Sequence, residues 1–209
     1  MFNQALNART VLLMKTISEI PSIIEKFYLA GGTALSLHLG HRRSEDLDLF
    51  AENRFALQPY IDTISSLNGQ ILMAEEGSIH SIVNDVKLSL LFYPYPLINP
   101  LVEFSGIKVA SVDDIACMKI VPVSQRAEKK DFFDVYEIAK IYALSDIREL
   151  LHKKYKPQER NCYHMLRSIF YFNDAEENPD PISLNGTTWD DVRDYLLSRE
   201  DEITNELLS

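Results

Sequence analysis

The chain has 209 residues, 46% of them hydrophobic, which is enough for one sizeable core or one core plus a small lobe. A formal charge of −10 excludes a protein that coats nucleic acid non-specifically, because neutralising phosphates needs a net basic surface or a concentrated basic stripe. The two cysteines, Cys117 and Cys162, lack a near partner and suit buried thiols in a reducing compartment; no basic start leads into an apolar run, and no apolar stretch could cross a bilayer, so a cytoplasmic protein without a membrane role is expected.

Leu12, Leu13, Ile17 and Ile20 recur at helical spacing, and Phe27 to Ala30 then read as a short strand ended by Gly31 and Gly32. Thr33 to Leu39 is the next predicted helix. In the segment Asp46-Leu47-Asp48-Leu49-Phe50, charge and apolar side chain alternate at period two, so Asp46 and Asp48 share one face of a strand. Leu57 to Leu67 is helical, and "GQILMAEEG", "SIHSIVND" and "VKLSLLFYPYP" read as an antiparallel meander. Asp85, Lys87 and Ser89 lie on one face of the last of these strands. From Val112 onward the pattern is helical. Residues 93–106 and 173–186 carry the loop-like composition of boundaries. The expected fold is α+β: a mixed-sheet α/β domain over 1–110, then a helical domain over 111–209 that completes a cleft.

A strand that runs into Gly31-Gly32-Thr33 and then a helix leaves backbone N–H groups at the positive end of a helix dipole, where glycine lets an anion approach. The paired carboxylates on the following strand suit Mg²⁺, which shares its shell between carboxylates and substrate phosphates. Further on, Val135, Ile138, Ala139 and Tyr142 form an apolar stripe, with Asp131 and Phe132 on the same inward face and Lys130 and Asp134 on its flank. An inward carboxylate must be paired or line a polar site. Lys119, among apolar residues of the preceding helix, either snorkels or points its ammonium at phosphates.

Other chemistries fall away. His38, His41, His80, His152 and His164 make no zinc-like spacing with cysteine, and the Walker, dinucleotide-binding and hydrolase signatures are missing. The basic tract "LHKKYKPQER" reads as a solvated helix end or as a local contact for RNA.

The blocks "GGTALSLHLGHRRSEDLDLF", "VKLSLLFYPYPLI", "ASVDDIACMKI" and "QRAEKKDFFDVYEIAK" together resemble the AbiEii/AbiGii toxin-like nucleotidyltransferases, a branch of the polymerase-β-type superfamily, over Tyr28 to Lys140. The resemblance implies that Gly31, Gly32 and Thr33 bind phosphates, that Asp46 and Asp48 hold a divalent metal, and that Lys119, Lys130, Asp131 and Asp134 complete the site. Arg42 and Arg43 fall in a segment that touches phosphates or supports the loop, and Lys87 belongs with the nucleotide-binding groups. It implies Mg²⁺ or Mn²⁺ as cofactor and an NTP, GTP among the candidates, as donor of NMP to an RNA (tRNA being one) or a protein. It also implies a toxin–antitoxin or abortive-infection setting in bacteria, with a transcriptional-repressor antitoxin that need not bind stably. The superfamily often carries a third carboxylate on a neighbouring strand; Ser89 stands where it is expected, which would leave Asp131 or Asp134 as base. The alternative is a catalytically degenerate protein that binds nucleotide or a partner.

Overall fold

The structure, a computed structural model, describes residues 1–125, 128–155 and 166–201. Its elements are α1 (Ala8–Ser18), α2 (Pro21–Ile24), β1 (Tyr28–Ala30), α3 (Gly31–Leu39), β2 (Leu47–Ala51), α4 (Leu57–Ser66), β3 (Gln70–Glu75), β4 (Ser78–Val83), β5 (Val86–Phe92), β6 (Val102–Phe104), β7 (Ile107–Val109), α5 (Val112–Gln125), α6 (Lys129–Ile141), α7 (Leu144–Lys154) and α8 (Trp189–Ser198). Cys162, His164 and the half of the basic tract that follows Tyr155 lie outside the described residues.

The seven strands form one mixed sheet in the order β3-β4-β5-β2-β1-β7-β6. The meander β3-β4-β5 is antiparallel, β5 runs parallel to β2, and β1 lies antiparallel to β2 and parallel to β7. The period-two pattern of β2 divides its side chains: Leu47, Leu49 and Ala51 are buried, whereas Asp48 and Phe50 stay half-buried on the opposite face. Leu29, Leu88, Leu90 and Ile79 are in register with this apolar set and share its face. Together with Leu13, Met14 and Ile17 of α1 and Ile64 of α4 they belong to the continuous core. Each fully buried Leu or Ile there contributes on the order of 1.5–3 kcal/mol.

Three features depart from the sequence reading. Both glycines belong to α3, which follows β1 with no intervening loop. Residues 93–106 are not only a connection, since β6 pairs with β7 in a hairpin turned by Ser105 and Gly106, both at positive φ. Asp85 is not on the β5 face with Lys87 and Ser89; it occupies the β4–β5 turn at φ 61° and pairs with Arg9 at the surface.

The helices after β7 are joined to the sheet by buried charge. Lys154 at the end of α7 is fully buried; its Nζ donates to Asp114 at 2.7 Å and to the Pro96 carbonyl at 3.1 Å. Asp114 in turn accepts from the backbone N–H groups of Ile98 and Asn99 and from the Ser111 hydroxyl.

Candidate active site

The polar face of the sheet is built one lateral row at a time. Ala30, Asp48, Ser89 and His80 are direct neighbours across β1, β2, β5 and β4. The next row carries Tyr28, Phe50, Leu91 and Ser78. A cavity of about 490 Å³ opens over this face. Asp48 and Lys87 line it from the sheet, Asp46 from the residue just before β2, Gly31, Gly32 and Thr33 from α3, and Lys119 and Lys130 from α5 and α6. Phe50, Tyr93, Met118 and Val121 give it an apolar side. Pro122, within α5, also faces it.

The α3 N-terminus is shaped for an anion. Ala30, its N-cap residue, makes no side-chain cap, and Gly31 has φ +71°, a conformation that costs other L-residues about 1–2 kcal/mol. A Cβ on Gly31 would stand 3.3 Å from Asp48 Oδ2, so the missing side chain keeps the carboxylate and the helix terminus within reach of one ligand. Thr33 is buried; its hydroxyl bonds the Ser44 hydroxyl at 2.8 Å and donates to the Asp46 carbonyl, so it fixes the start of β2 against α3.

Behind the cradle lies a fully buried ion cluster. Asp134 is at 0% exposure; it accepts from Arg42 Nε at 2.7 Å and Nη2 at 2.8 Å, and from His41 Nε2 at 2.7 Å. Lys119 Nζ lies 2.6 Å from Asp134 and 2.9 Å from Asp131. Burial pushes the Asp134 carboxyl up, but Arg42 and Lys119 outweigh it and hold the group well below the usual carboxylate range. Lys119 and Arg42 are raised in return, the carboxylates overcoming the burial that would lower them. Asp134 is therefore deeper than the flank position expected of it, because a bidentate guanidinium and an ammonium compensate its desolvation.

Of the residues singled out from sequence, Gly31, Gly32, Thr33, Arg42, Asp46, Asp48, Lys87, Lys119 and Lys130 share the cavity. Asp131 and Asp134 do not line it. Arg42 supports the loop from beneath, and Arg43 is exposed in an adjoining depression with Lys129 and Asp180. Lys130 pairs with Glu128 at 2.8 Å. Sequence reasoning missed Phe50, which follows Asp48 by two residues, and it weighed His80 only as a zinc ligand.

Gly32 tests the coupling between cradle and cluster. A Cβ there would collide with the Arg42 guanidinium and stand 3.4 Å from both Asp134 Oδ2 and Lys119 Nζ. Arg42 is 3% exposed and held at all three guanidinium nitrogens, so it has nowhere to retreat. Gly32→Ala is expected to cost about 1–3 kcal/mol, as overpacking does. At roughly 2–4 °C per kcal/mol for a chain of this size, calorimetry should show a drop of several degrees in Tm. An unchanged Tm would mean that Arg42 is not fixed.

The seven-stranded mixed sheet with its flanking helices is a nucleotidyltransferase fold. A candidate nucleotidyltransferase from H. pylori superposes with a TM-score of 0.57 at 17% identity, covering 99% of this chain and 97% of that one. MenT4, a nucleotidyltransferase toxin from Mycobacterium tuberculosis, does so with a TM-score of 0.54 at 14% identity, covering 97% and 94%. Residues 18–94 match the family described as nucleotidyl transferase AbiEii toxin, type IV TA system. The uncharacterized protein aq_aa25 of Aquifex aeolicus is 35% identical over 164 residues, 74% of this chain and 78% of that protein. The chain belongs to the AbiEii nucleotidyl transferase toxin family.

Proposed function

We propose that the protein is a metal-dependent nucleotidyltransferase that moves NMP from an NTP to an RNA, tRNA among the candidates, or to a protein, as the toxin of a toxin–antitoxin or phage-defence pair. The observation that carries this reading is the meeting of Gly31 with Asp48: the uncapped start of α3 comes so close to the carboxylate that a Cβ on Gly31 would stand 3.3 Å from Asp48 Oδ2, in a cavity lined by Lys87, Lys119 and Lys130. We take 1–110 as the catalytic unit and the helices beyond it as the cleft's second wall, because Lys119 and Lys130 come from there.

Among the described residues no three metal-ligating side chains converge. Asp46 and Asp48 fit Mg²⁺ or Mn²⁺ that completes its shell with substrate phosphates and water, and the open Gly31 position is where those phosphates would stand. Bound there, the ion would neutralise charge growing on the α-phosphate oxygens. The N–H groups of α3 receive the phosphates, and Lys87 and Lys130 lie within the same cavity to meet the leaving pyrophosphate. Asp131 and Asp134 hold Lys119 and Arg42 in place behind them. GTP is one candidate donor, and a repressor antitoxin in the same bacterial cytoplasm would be the partner.

The test is transfer of label from each of four α-³²P NTPs to total bacterial RNA or to protein, with and without EDTA. Transfer that chelation abolishes is the expected result and would identify donor and acceptor class. Magnesium-dependent nucleotide binding without transfer would instead favour a degenerate binding protein, the reading that Ser89 beside Asp48 motivates.

A further inference from the structure

The acceptor hydroxyl must lose its proton as it attacks, and the carboxylates at hand do not suit that task. Asp131 and Asp134 are at 0% exposure and committed to buried cations. Glu128 pairs with Lys130, and Lys87 brings an amine rather than a carboxylate. Beside Asp48 stands Ser89, an alcohol about as weakly acidic as the acceptor itself. The next side chain along the same row is His80, which lines the cavity half-buried, with Nδ1 3.3 Å from Ser89 Oγ.

We propose that His80 is the general base of nucleotidyl transfer in this protein, and that Ser89 positions it. This role requires the tautomer in which Nδ1–H donates to Ser89 Oγ, 3.3 Å away, and Nε2 carries the lone pair. Nε2 takes the proton of the acceptor hydroxyl while its oxygen bonds to the α-phosphorus. The bond from that phosphorus to the bridging oxygen breaks in line, and pyrophosphate leaves with the electron pair; acceptor and NTP thus give nucleotidylated acceptor, pyrophosphate and one proton held on His80. An imidazole serves here because its neutral ring offers a lone pair at Nε2 and can hold the proton it takes, as general bases do. This inference rests on the transferase reading above.

The experiment compares wild type, His80→Ala, Ser89→Asp and the double variant His80→Ala/Ser89→Asp in single-turnover transfer, alongside calorimetric binding of an α,β-methylene NTP. His80→Ala is expected to lose about 100-fold in transfer, in the range of general-base catalysis, with analogue affinity within about twofold of wild type. A carboxylate at position 89 is expected to restore at least about tenfold of the loss in the double variant. Long-range ¹H–¹⁵N spectra of the nucleotide-free protein should show His80 with the proton on Nδ1, and Ser89→Ala should abolish that preference. Transfer by His80→Ala within about threefold of wild type overturns the inference and leaves the transferase reading standing, as does an Nε2-protonated His80. An inactive wild type beside an active Ser89→Asp also overturns it, because Ser89 is then a lost carboxylate. No transfer by any of the four overturns both readings.

Discussion

Replacing Asp134 by alanine is expected to destabilise the protein by about 3–5 kcal/mol, the usual cost of stranding one side of a buried ion pair. The carboxylate is the common acceptor of Arg42, His41 and Lys119, and no water reaches it. Without it Arg42 keeps only the Arg43 carbonyl, while Lys119 retains Asp131. Thermal unfolding should move down by roughly 10 °C. Asp134→Asn, which keeps the shape and one acceptor oxygen, should cost less. The wild type should also weaken in acid with a definite sign. A carboxyl held below its unfolded value contributes stability above about pH 4, lost as the pH falls through its folded value, so Asp134→Ala should flatten the acid limb of a Tm–pH profile. Lys119, raised in the fold, contributes stability that is complete below about pH 10.4 and lost only as pH rises through its higher folded value. A Tm for Asp134→Ala within about 2 °C of wild type would contradict the cluster's role.

Asp48→Asn is expected to reduce transfer by about a thousandfold or more with the fold retained. The substitution preserves side-chain shape on β2 but removes the charge beside the open end of α3, where charge develops in phosphoryl transfer. Asp46→Asn should behave similarly, since Asp46 enters the same cavity one turn of the pleat away. The two variants should unfold within a few degrees of wild type, which separates a lost reaction from a lost structure. Transfer by Asp48→Asn within tenfold of wild type would remove Asp48 from the metal-holding pair.

Much of this arrangement is written locally. Alternation in Asp46-Leu47-Asp48-Leu49-Phe50 already assigns two carboxylates to one face, and Gly31-Gly32 after the apolar strand already marks a candidate anion site at the start of α3. The meander and the helical second half follow from period and turn residues in the same way. What sequence periodicity does not carry is partnership across the chain. Nothing near Asp134 announces that Arg42, 92 residues away, will neutralise it, so a flank position was the natural expectation. His80 reads as an ordinary strand residue until β4 is registered against β5 and β5 against β2. The β6–β7 hairpin is three residues a side, too short for alternation to register. α5 runs on past Pro122 to Gln125, beyond the apolar segment that suggested it, because tertiary packing overrides the local penalty of an internal proline.

Lys154 and Asp114 bear on how such a protein can be divided. The segment matching the family description ends at residue 94, yet the chain just beyond it, at Pro96, Ile98 and Asn99, is gripped by side chains of α5 and α7. Excision at the family boundary would remove both sides of this clasp, strip β7 from the edge of β1, and take Lys119 away from the cleft. The hereditary unit defined by sequence likeness is thus smaller than the unit that can fold. A gene fusion or truncation that respects only the former would yield an insoluble fragment, whereas one that carries the chain through Lys154 keeps the clasp closed.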